Sequence, residues 1–394
     1  MKKQSLIFLL SFEDFKLFYV AWNSFILKTL KKFKEVYFLN SDNFQIIKES
    51  TQKVRVKSFE KKYKAKFINI DSYNDLDNFL NKKKPLIINC LGKGLNYYRL
   101  FYFLRKKKIP QVAVSNIGNI QAPVYYWMNY NFKFIKYYLF FILPQKFTAL
   151  LASIGIFSKI DIRFESNKKI VNGFEKNRKR KLFKIPTYYK EMINVKSRNY
   201  DQIKSIKTKV KEDIILLIDM EPDYRHMNYT TFNKTEINNH YQKLNILLSN
   251  LQKNFKKKVV ISIHPLANLN NAKKHFKNFK VIRFKTKELI KKSMFVLFFD
   301  SSAILDAVYL KKTILCLRSN LFKQKKYNSD LYKDILKLKT IDMDKKQTNY
   351  EVLINSELKK KKTIYNDYLK KYTSGDLKRS GADKILEIIK KKYF

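Results

Sequence analysis

The chain has 394 residues, of which 45% are hydrophobic and 15% aromatic, enough to fill two cores and too many for global disorder. Its formal net charge is +50, from 83 Lys and Arg against 33 Asp and Glu. Such an excess can neutralise nucleic-acid phosphates, but the lysines are spread along the whole chain and no RNA-recognition, zinc-finger or basic-zipper pattern occurs. We therefore disfavour nucleic acid as a partner and expect the basic surface to face anionic lipid.

Cysteine usage and the first apolar run indicate the compartment. Cys90 and Cys316 lie in separate apolar runs and predict neither a disulfide framework nor a metal set, which fits a reducing environment. The run Leu6 to Leu10 is shorter than the core of a secretory signal and soon meets Glu13 and Asp14. We predict a buried first strand and a cytoplasmic protein.

The first part of the chain alternates short apolar runs with amphipathic helical stretches. Alternation of this kind indicates βαβ units and a parallel sheet. The predicted strands are 5–10, 36–40, 66–70, 86–91 and 111–115, and the predicted helices are 18–33, 73–80 and 95–107. We expect residues 1–165 to form a Rossmann-like domain on the acceptor side of the protein.

Residues 122–160 depart from this pattern because they are rich in Tyr, Phe, Ile and Leu. Four lysines are interleaved with them, at Lys133, Lys136, Lys146 and Lys159. The longest uncharged run within this segment, 147–158, is far short of the roughly 20 residues that a bilayer span needs. Two interpretations stay open: an interfacial segment at the inner face of the plasma membrane, or a buried helical hairpin broken at Pro144.

Residues 166–200 begin with a polar, basic stretch that includes the run Asn177 to Lys181. We interpret 166–200 as a linker and 201–394 as a second Rossmann-like domain. Its predicted strands are 213–218, 259–263, 279–284, 294–299 and 313–317. Its predicted helices are 234–255, a short helix near residue 286, and 304–310. We expect Thr286 to cap the short helix.

Three polar clusters follow successive strands of the second domain: 219–223, His264-Pro265 and 300–302. In an open parallel sheet, ligands bind at the edge formed by the carboxyl ends of the strands. The helix that begins after Ser301 and Ser302 is expected to offer free backbone N–H groups and a positive dipole end to a phosphate. His264 can donate to a phosphoryl oxygen and assist a departing nucleotide.

Other polar residues allow alternatives. Asp219 and Glu221 could supply a catalytic base, or the turn that holds them could simply be solvated. In the first domain, Glu13 or Asp14 could deprotonate an acceptor hydroxyl. Asp306 fits a solvated or structural role as well as a functional one.

The remaining histidines, His226, His240 and His275, have no metal-ligand spacing, and we expect them at the surface. We predict no metal site and no cofactor.

The second half of the chain resembles a known family. The segments Ile263-His264-Pro265, Thr286 to Ile290 and Asp300 to Ile304, with the later Ala307 to Ile314, look like the carboxy-terminal half of GT-B-fold glycosyltransferases from bacterial polysaccharide and lipopolysaccharide gene clusters. The pairing of His-Pro with Ser-Ser is similar to bacterial sialyltransferases and capsule polymerases, which use CMP-activated sugars. The acidic-acidic-glycine triplet that holds the catalytic base of those sialyltransferases is absent from this sequence.

The resemblance implies two Rossmann-like domains facing a cleft and an enzyme that transfers a sugar from a nucleotide-activated donor to a surface glycan or lipid-linked acceptor. It implies that the donor phosphate contacts His264, Ser301 and Ser302, and that Glu288 lies near the nucleotide ribose or base. Pro265 and Ala303 belong to the same donor-binding motifs.

Three rival functions remain. One is a teichoic-acid-type transferase of polyol phosphates, another is a non-catalytic basic protein that binds a membrane surface or nucleic acid, and the third is a sugar epimerase.

Overall fold

The computed structural model describes residues 5–10, 15–44, 66–91, 97–115, 143–157, 159–180, 186–206, 213–219, 233–265, 267–322, 328–345, 350–360, 363–373 and 379–394. They divide into two compact units. Unit 1 holds the described residues up to Asp201 together with those from Tyr372 to the end, and unit 2 holds those from Gln202 to Lys371.

Unit 1 is built on a seven-stranded sheet in which every pair of neighbours is parallel. Its strands are β1 (Leu6–Leu10), β2 (Val36–Asn40), β3 (Lys66–Ile68), β4 (Leu86–Asn89), β5 (Gln111–Ser115), β6 (Ile160–Glu165) and β7 (Tyr189–Asn194). They lie in the order β3-β2-β1-β4-β5-β6-β7. The chain therefore adds strands first to one side of β1 and then to the other, as in a Rossmann fold.

The helices of unit 1 follow its strands along the chain. They are α1 (Phe15–Lys32), α2 (Tyr73–Lys83), α3 (Tyr98–Lys106), α4 (Leu143–Ser153), α5 (Lys168–Arg178), α6 (Arg198–Ser205), which spans the division between the units, and, at the carboxyl end of the chain, α14 (Gly381–Tyr393). A short 3-10 helix, Asp42–Phe44, follows β2.

Helices cover both faces of this sheet because the side chains of its central strand are buried on both sides. Leu6 and Phe8 of β1 pack in one cluster with residues of α1 and α14, whereas Ile7 and Leu9 pack in another with residues of α2 and α3. Successive side chains of a strand point to opposite faces, so an uninterrupted apolar run such as Leu6–Leu10 requires a layer on each side.

The structure places the domain boundary differently from our expectation. Residues 166–200 do not form a linker, because they contain α5 and β7, and β7 pairs with β6 in the sheet of unit 1. The carboxy-terminal helix α14 also belongs to unit 1, where Ile385, Leu386 and Ile389 are buried against its core.

One buried carboxylate fixes the start of α14. Asp201 accepts hydrogen bonds from the Ser380 hydroxyl at 2.9 Å and from the backbone N–H groups of Gly381 at 3.0 Å and Ala382 at 2.8 Å. The first N–H groups of a helix have no partner within the helix, and a negative charge there also complements the helix dipole. An interaction across 180 positions of sequence thus ties the end of the chain into the first domain.

Unit 2 contains a six-stranded parallel sheet in the order β10-β9-β8-β11-β12-β13. Its strands are β8 (Ile214–Ile218), β9 (Lys258–Ile263), β10 (Lys280–Arg283), β11 (Ser293–Phe298), β12 (Thr313–Arg318) and β13 (Lys339–Asp342). Here too the strands are added first to one side of the first strand and then to the other.

The helices of unit 2 are α7 (Lys234–Phe255), α8 (Leu269–His275), α9 (Thr286–Lys292), α10 (Ile304–Tyr309), α11 (Asn328–Leu336), α12 (Tyr350–Lys359) and α13 (Thr363–Tyr372), with a 3-10 helix at Asn320–Phe322. The longest, α7, starts with a capping box between Asn233 and Glu236. Its inward side chains recur at helical spacing and include Leu244, Leu248 and Leu251, which pack over Ile215 and Leu217 of β8.

These observations confirm the predicted fold class, an α/β protein with two Rossmann-like domains. The predicted strands and helices in both parts agree with the structure to within a few residues at their ends. Within the described ranges, no helix is both long and apolar enough to span a bilayer. Residues 122–142, the first part of the segment for which two interpretations were left open, lie outside the described residues.

Two glycines of unit 1 provide a matched test of the α14 anchor. A Cβ on Gly381 would lie 2.2 Å from the backbone carbonyl oxygen of Lys196, whereas a Cβ on Gly173 of α5 would meet nothing within 4 Å. We expect Gly381→Ala to destabilise the protein by about 3 kcal/mol, because a backbone atom cannot move aside cheaply. Gly173→Ala should stabilise it by up to about 1 kcal/mol. Denaturant unfolding of both variants checks this, and an unchanged stability in Gly381→Ala would contradict the close packing.

Candidate functional site

The carboxyl edge of the sheet in unit 2 is where ligand-binding residues are expected. Strand order reverses between β8 and β11, and in open parallel sheets ligands bind outside the carboxyl ends of the strands at such a reversal. The register places Ile218, Ser262 and Phe298 at one level across three strands. The polar residues that follow the ends of these strands, Asp219, His264-Pro265 and 300–302, therefore lie in a row along one edge of the sheet, which we call the site edge.

His264 occupies the site edge immediately after β9 and is exposed. Its backbone carbonyl accepts a hydrogen bond from the N–H of Ala267 at 3.0 Å, and the Ala267 carbonyl accepts one from the Arg283 guanidinium at 3.0 Å. These bonds hold the turn after the strand, and Pro265, which is half-buried, belongs to the same turn. The structure thus places this histidine at the sheet edge, where we predicted it, and not in the core.

Ser301 and Ser302 follow β11 and lead into α10. The Ser301 hydroxyl accepts a hydrogen bond from the N–H of Ala303 at 3.2 Å, so it helps to start the helix, while Ser302 is exposed. The next N–H groups, of Ile304, Leu305 and Asp306, bond the carbonyls of residues 301–303 at 3.3, 3.2 and 2.9 Å. Our expectation of free N–H groups at this helix start is therefore wrong for these four amides, because the turn itself supplies their acceptors.

The histidine and the two serines follow strands that are separated by one other strand, because β8 runs between β9 and β11. Neighbouring strands are about 4.8 Å apart, so the ends of β9 and β11 are about 10 Å apart. Their convergence on a single anionic group therefore stays a prediction.

Asp219 follows β8 and so lies between them in the row. It is 4% exposed, its N–H bonds the Ser262 carbonyl at 2.9 Å, and its carboxylate accepts from the Tyr241 hydroxyl at 3.4 Å. Tyr241 in turn stacks on the ring of His275 with centroids 3.9 Å apart. A carboxylate turned inward against α7 is poorly placed to deprotonate an acceptor hydroxyl. The other proposed carboxylates, Glu13, Asp14 and Glu221, lie outside the described residues.

Thr286 and Glu288 lie in the first turn of α9, beyond the end of β10. Thr286 was expected to cap this helix, but the helix begins at Thr286 itself and its hydroxyl bonds the Ser262 hydroxyl at 2.7 Å. The capping prediction is wrong: Lys285 holds the N-cap position, and the Thr286 hydroxyl is the hydrogen-bond partner of Ser262, a buried polar residue on β9. Glu288 is exposed, and its predicted place near a nucleotide ribose or base is not tested by these contacts.

A buried histidine close to the site edge was missed by our reasoning from sequence. His240 of α7 is 3% exposed, whereas we expected it at the surface. Its Nδ1 and the Ser319 hydroxyl are hydrogen-bonded at 3.0 Å, and its ring packs against Phe299 at 5.1 Å between centroids. The signal was present, because His240 lies four residues before Leu244 and seven before Leu247 on the inward stripe of the helix.

Burial determines the protonation of this histidine. Loss of hydration lowers the pKa of His240 from 6.5 to about 4, with smaller contributions from Asp344, which raises it, and from His275 and Lys243, which lower it. Lys243 and Asp344 also pair with each other, and the N–H of Asn320 donates to Asp344. His240 is thus neutral near pH 7 and joins α7 to the loop after β12.

Metal ligation has no candidate in the described ranges, where no three His, Cys, Asp or Glu side chains are grouped to hold an ion.

A cavity of about 470 Å³ lies in unit 1 beside Pro110, Asp161 and Lys190. These residues stand at or near the amino ends of β5, β6 and β7, the edge opposite to the one at which ligands bind in open parallel sheets.

The depressed pKa of His240 predicts a pH dependence of stability. Between pH 6.5 and about 4 the unfolded chain binds a proton at this residue that the folded chain does not, so stability is full above about pH 6.5 and falls with acidification. The loss from this residue is about 3 kcal/mol at most. We expect His240→Asn to lose less stability than the parent between about pH 7 and about pH 5 in denaturant unfolding. Equal losses in the two proteins would show that His240 does not titrate as described.

No family model matches this sequence, and no curated protein is detectably similar to it. Solved structures do match it. A UDP-N-acetylglucosamine 2-epimerase is 13% identical over 99% of this chain and 96% of its own, with a TM-score of 0.54. The H444N variant of the wall teichoic acid polymerase TagF is 12% identical over 99% and 89%, with a TM-score of 0.54.

Phytolacca americana UGT2, solved with UDP-2-fluoro-glucose and pterostilbene, is 9% identical over all of both chains, with a TM-score of 0.57. At these identities the likeness is one of fold. The chain has the two-Rossmann-domain GT-B fold that the sequence resemblance implied.

Proposed function

We propose that this chain is an enzyme that acts on a nucleotide-activated sugar, and specifically a glycosyltransferase that delivers the sugar to a surface glycan or lipid-linked acceptor. The observation that supports it most is the site edge of unit 2, where an exposed His264 follows β9 and an exposed Ser302 follows β11 on either side of the strand-order reversal. The solved structures of the same fold include one with a bound UDP-sugar analogue.

In the proposed donor complex, the phosphate of the nucleotide lies over the end of β8. His264 donates to a phosphoryl oxygen and offsets the negative charge that develops as the nucleotide departs. Since Ser301 and the amides of 303–306 are already engaged in the turn, the Ser302 hydroxyl and the dipole of α10 are the second source of stabilisation. Glu288 is the proposed contact to the ribose or base, and Pro265 and Ala303 shape the two loops.

The catalytic base is proposed among Glu13, Asp14 and Glu221. Asp219 is the weakest of the candidates from sequence because it is buried and bonded to Tyr241. The reaction is proposed to need no metal and no cofactor, since protein donors neutralise the leaving phosphate.

A polyol-phosphate transferase of the teichoic-acid type is the second candidate. It is favoured by the similarity to a wall teichoic acid polymerase, which shares the fold over 99% of this chain. A sugar epimerase is the third candidate, and it is supported by the similarity to a UDP-N-acetylglucosamine 2-epimerase. The three differ in product: sugar transfer and polyol-phosphate transfer both need an acceptor, whereas epimerisation changes the donor alone.

We also propose that the protein acts in the cytoplasm, attached peripherally to the inner face of the plasma membrane. Its charge of +50 would favour an anionic lipid surface, at about 1 kcal/mol for each basic residue close to it. An acceptor anchored in that membrane would then be within reach.

Nucleotide binding provides the first test. A ligand that binds only the folded protein raises its stability, by about 2.7 kcal/mol at a concentration 100 times the dissociation constant. We expect selective stabilisation by one of UDP, CMP, CDP or GDP in a thermal-shift screen, with UDP and CMP the leading candidates. Absence of a shift with every nucleotide would remove the basis of the proposal.

His264 provides the second test. We expect His264→Ala to lower the rate of donor turnover about 100-fold, the size of the effect of removing one transition-state donor. Because His264 is exposed, the variant should still fold, and its thermal unfolding transition checks this. Lys280→Ala, at the amino end of β10 in the same sheet, is the matched control and should keep full activity. Product analysis with and without acceptor separates the three reactions. Full activity in His264→Ala would overturn the assigned role.

A further inference from the structure

Exposed apolar side chains are concentrated in one small part of unit 1. Eight large hydrophobic residues are exposed in the described part of the chain, and two of them, Ile246 and Val352, lie singly on helices of unit 2. The other six lie on α3, α4 and the turn after α4: Tyr98, Tyr102, Phe147, Leu150, Ile154 and Ile156. We call these six residues the apolar face. Clustering of this kind marks an interaction surface, whereas scattered exposed residues need no explanation.

The two helices that carry the apolar face contribute to the same core, and the carboxyl end of α3 lies near the turn after α4. Their opposite sides pack in one core cluster, which contains Leu100 and Leu104 of α3 and Ala152 of α4. On α3, Tyr98, Tyr102 and Arg105 form one stripe at helical spacing. The Arg105 guanidinium lies 3.4 Å from the position that a Cβ on Gly155 would take. The stripe of α3 therefore leads to the turn that holds Ile154 and Ile156.

The charged residues of the two segments that carry the apolar face are all basic. Arg99, Arg105, Lys106 and Lys108 are exposed, and the segments 97–109 and 143–157 contain no Asp or Glu. Lys107, which directly follows α3, pairs with the carboxylate of Asp77 of α2 at 2.6 Å. The Arg99 Nε donates a hydrogen bond to the Tyr98 hydroxyl at 3.0 Å, which keeps a cation next to the polar end of an amphipathic aromatic side chain.

We propose that the apolar face is the surface by which this protein docks on an anionic lipid bilayer. Tyrosine rings suit the headgroup region, with the ring in apolar surroundings and the hydroxyl in water, and arginine and lysine beside them meet the lipid phosphates. Leu150, Ile154 and Phe147 enter the acyl boundary. The inference rests on the peripheral location proposed above and is independent of the identity of the donor.

A second copy of the chain is a poorer occupant of this face. A symmetric contact would bring Arg99, Arg105 and Lys106 of one copy against the same residues of the other, with no carboxylate from either segment to separate them. Like charges placed together at an interface oppose association. An anionic membrane has the complementary charge.

Vesicle sedimentation of the full-length protein tests the docking face. Because a chain of charge +50 will adhere to anionic lipid through charge alone, binding is compared at low salt and at about 1 M salt, where the Debye length is about 3 Å. The probes are vesicles of phosphatidylcholine with and without phosphatidylglycerol. We expect the parent to prefer the anionic vesicles and to keep measurable binding at high salt.

Matched variants separate apolar docking from charge. Leu150→Ser with Ile154→Ser changes side chains that are 42% and 64% exposed, and Ile246→Ser with Val352→Ser changes side chains that are 57% and 61% exposed in unit 2. We expect at least a tenfold loss of high-salt binding in the first double variant and none in the second. Equal high-salt binding of anionic vesicles by the two double variants would overturn the assignment of the docking face.

An environment-sensitive dye reports insertion directly. A dye on Ile154→Cys should shift to the blue when anionic vesicles are added, and the same dye on Val352→Cys should not. Native Cys316 is buried, and loss of hydration strongly raises the pKa of the Cys90 thiol, so labelling near neutral pH favours the introduced residue. A shift at both positions, or at neither, would contradict the proposal.

The outcomes distinguish the two proposals from each other. If the parent binds no vesicles, the peripheral location itself fails, and if the parent binds but the apolar-face variant binds equally, only the docking face fails. Nucleotide stabilisation should be unchanged in both double variants. A dimer that dissociates in Leu150→Ser with Ile154→Ser while vesicle binding persists would assign the face to a second copy and overturn the lipid assignment.

Discussion

Each domain is organised around one five-residue strand in which every side chain is buried, Leu6–Leu10 in unit 1 and Ile214–Ile218 in unit 2. Full burial of a Leu or Ile side chain contributes about 1.5–3 kcal/mol, so these strands must lie in the middle of a sheet with helices on both faces. A first strand in the middle has neighbours on both sides, and the chain must reverse its direction of growth to supply them. The reversal that creates a ligand edge is therefore a consequence of core packing.

The same local patterns explain how much of the fold could be predicted from sequence. Apolar runs bounded by helices were sufficient to place the strands from β1 to β5 and from β8 to β12. All of these strands contain buried residues except β3 and β10, which lie at the edges of their sheets. Residues 166–200 were wrongly predicted to be a linker because many of them are polar and basic. Such residues also occupy the exposed positions of α5 and of the edge strand β7. The attachment of α14 to unit 1 could not be predicted, since it depends on Asp201 and on the close approach of Gly381 to a distant carbonyl.

At the candidate site, sequence indicated which residues reach the edge but not how their polar atoms are used. His264 follows an apolar strand and is exposed there, as expected. The Ser301 hydroxyl and the first amides of α10 are bonded within their own turn, and Asp219 is turned inward toward Tyr241. Each of these polar groups bonds a partner either in its own turn or on a distant element, and a short sequence motif does not determine which of the two it is. His240 shows the reverse case, in which a polar residue follows the apolar periodicity of its helix and is buried with it.

Net charge alone does not select a partner for this protein. Nucleic acid and anionic lipid both attract a chain of charge +50, and both attractions weaken with salt. What differs is the environment of the charges: base recognition needs polar side chains that reach base edges, whereas a bilayer surface needs cations beside exposed apolar and aromatic groups. On α3 the exposed cations alternate with exposed tyrosines, and α4 next to it exposes Phe147 and Leu150 without an acidic residue in its sequence. This local arrangement, more than the total charge, favours lipid.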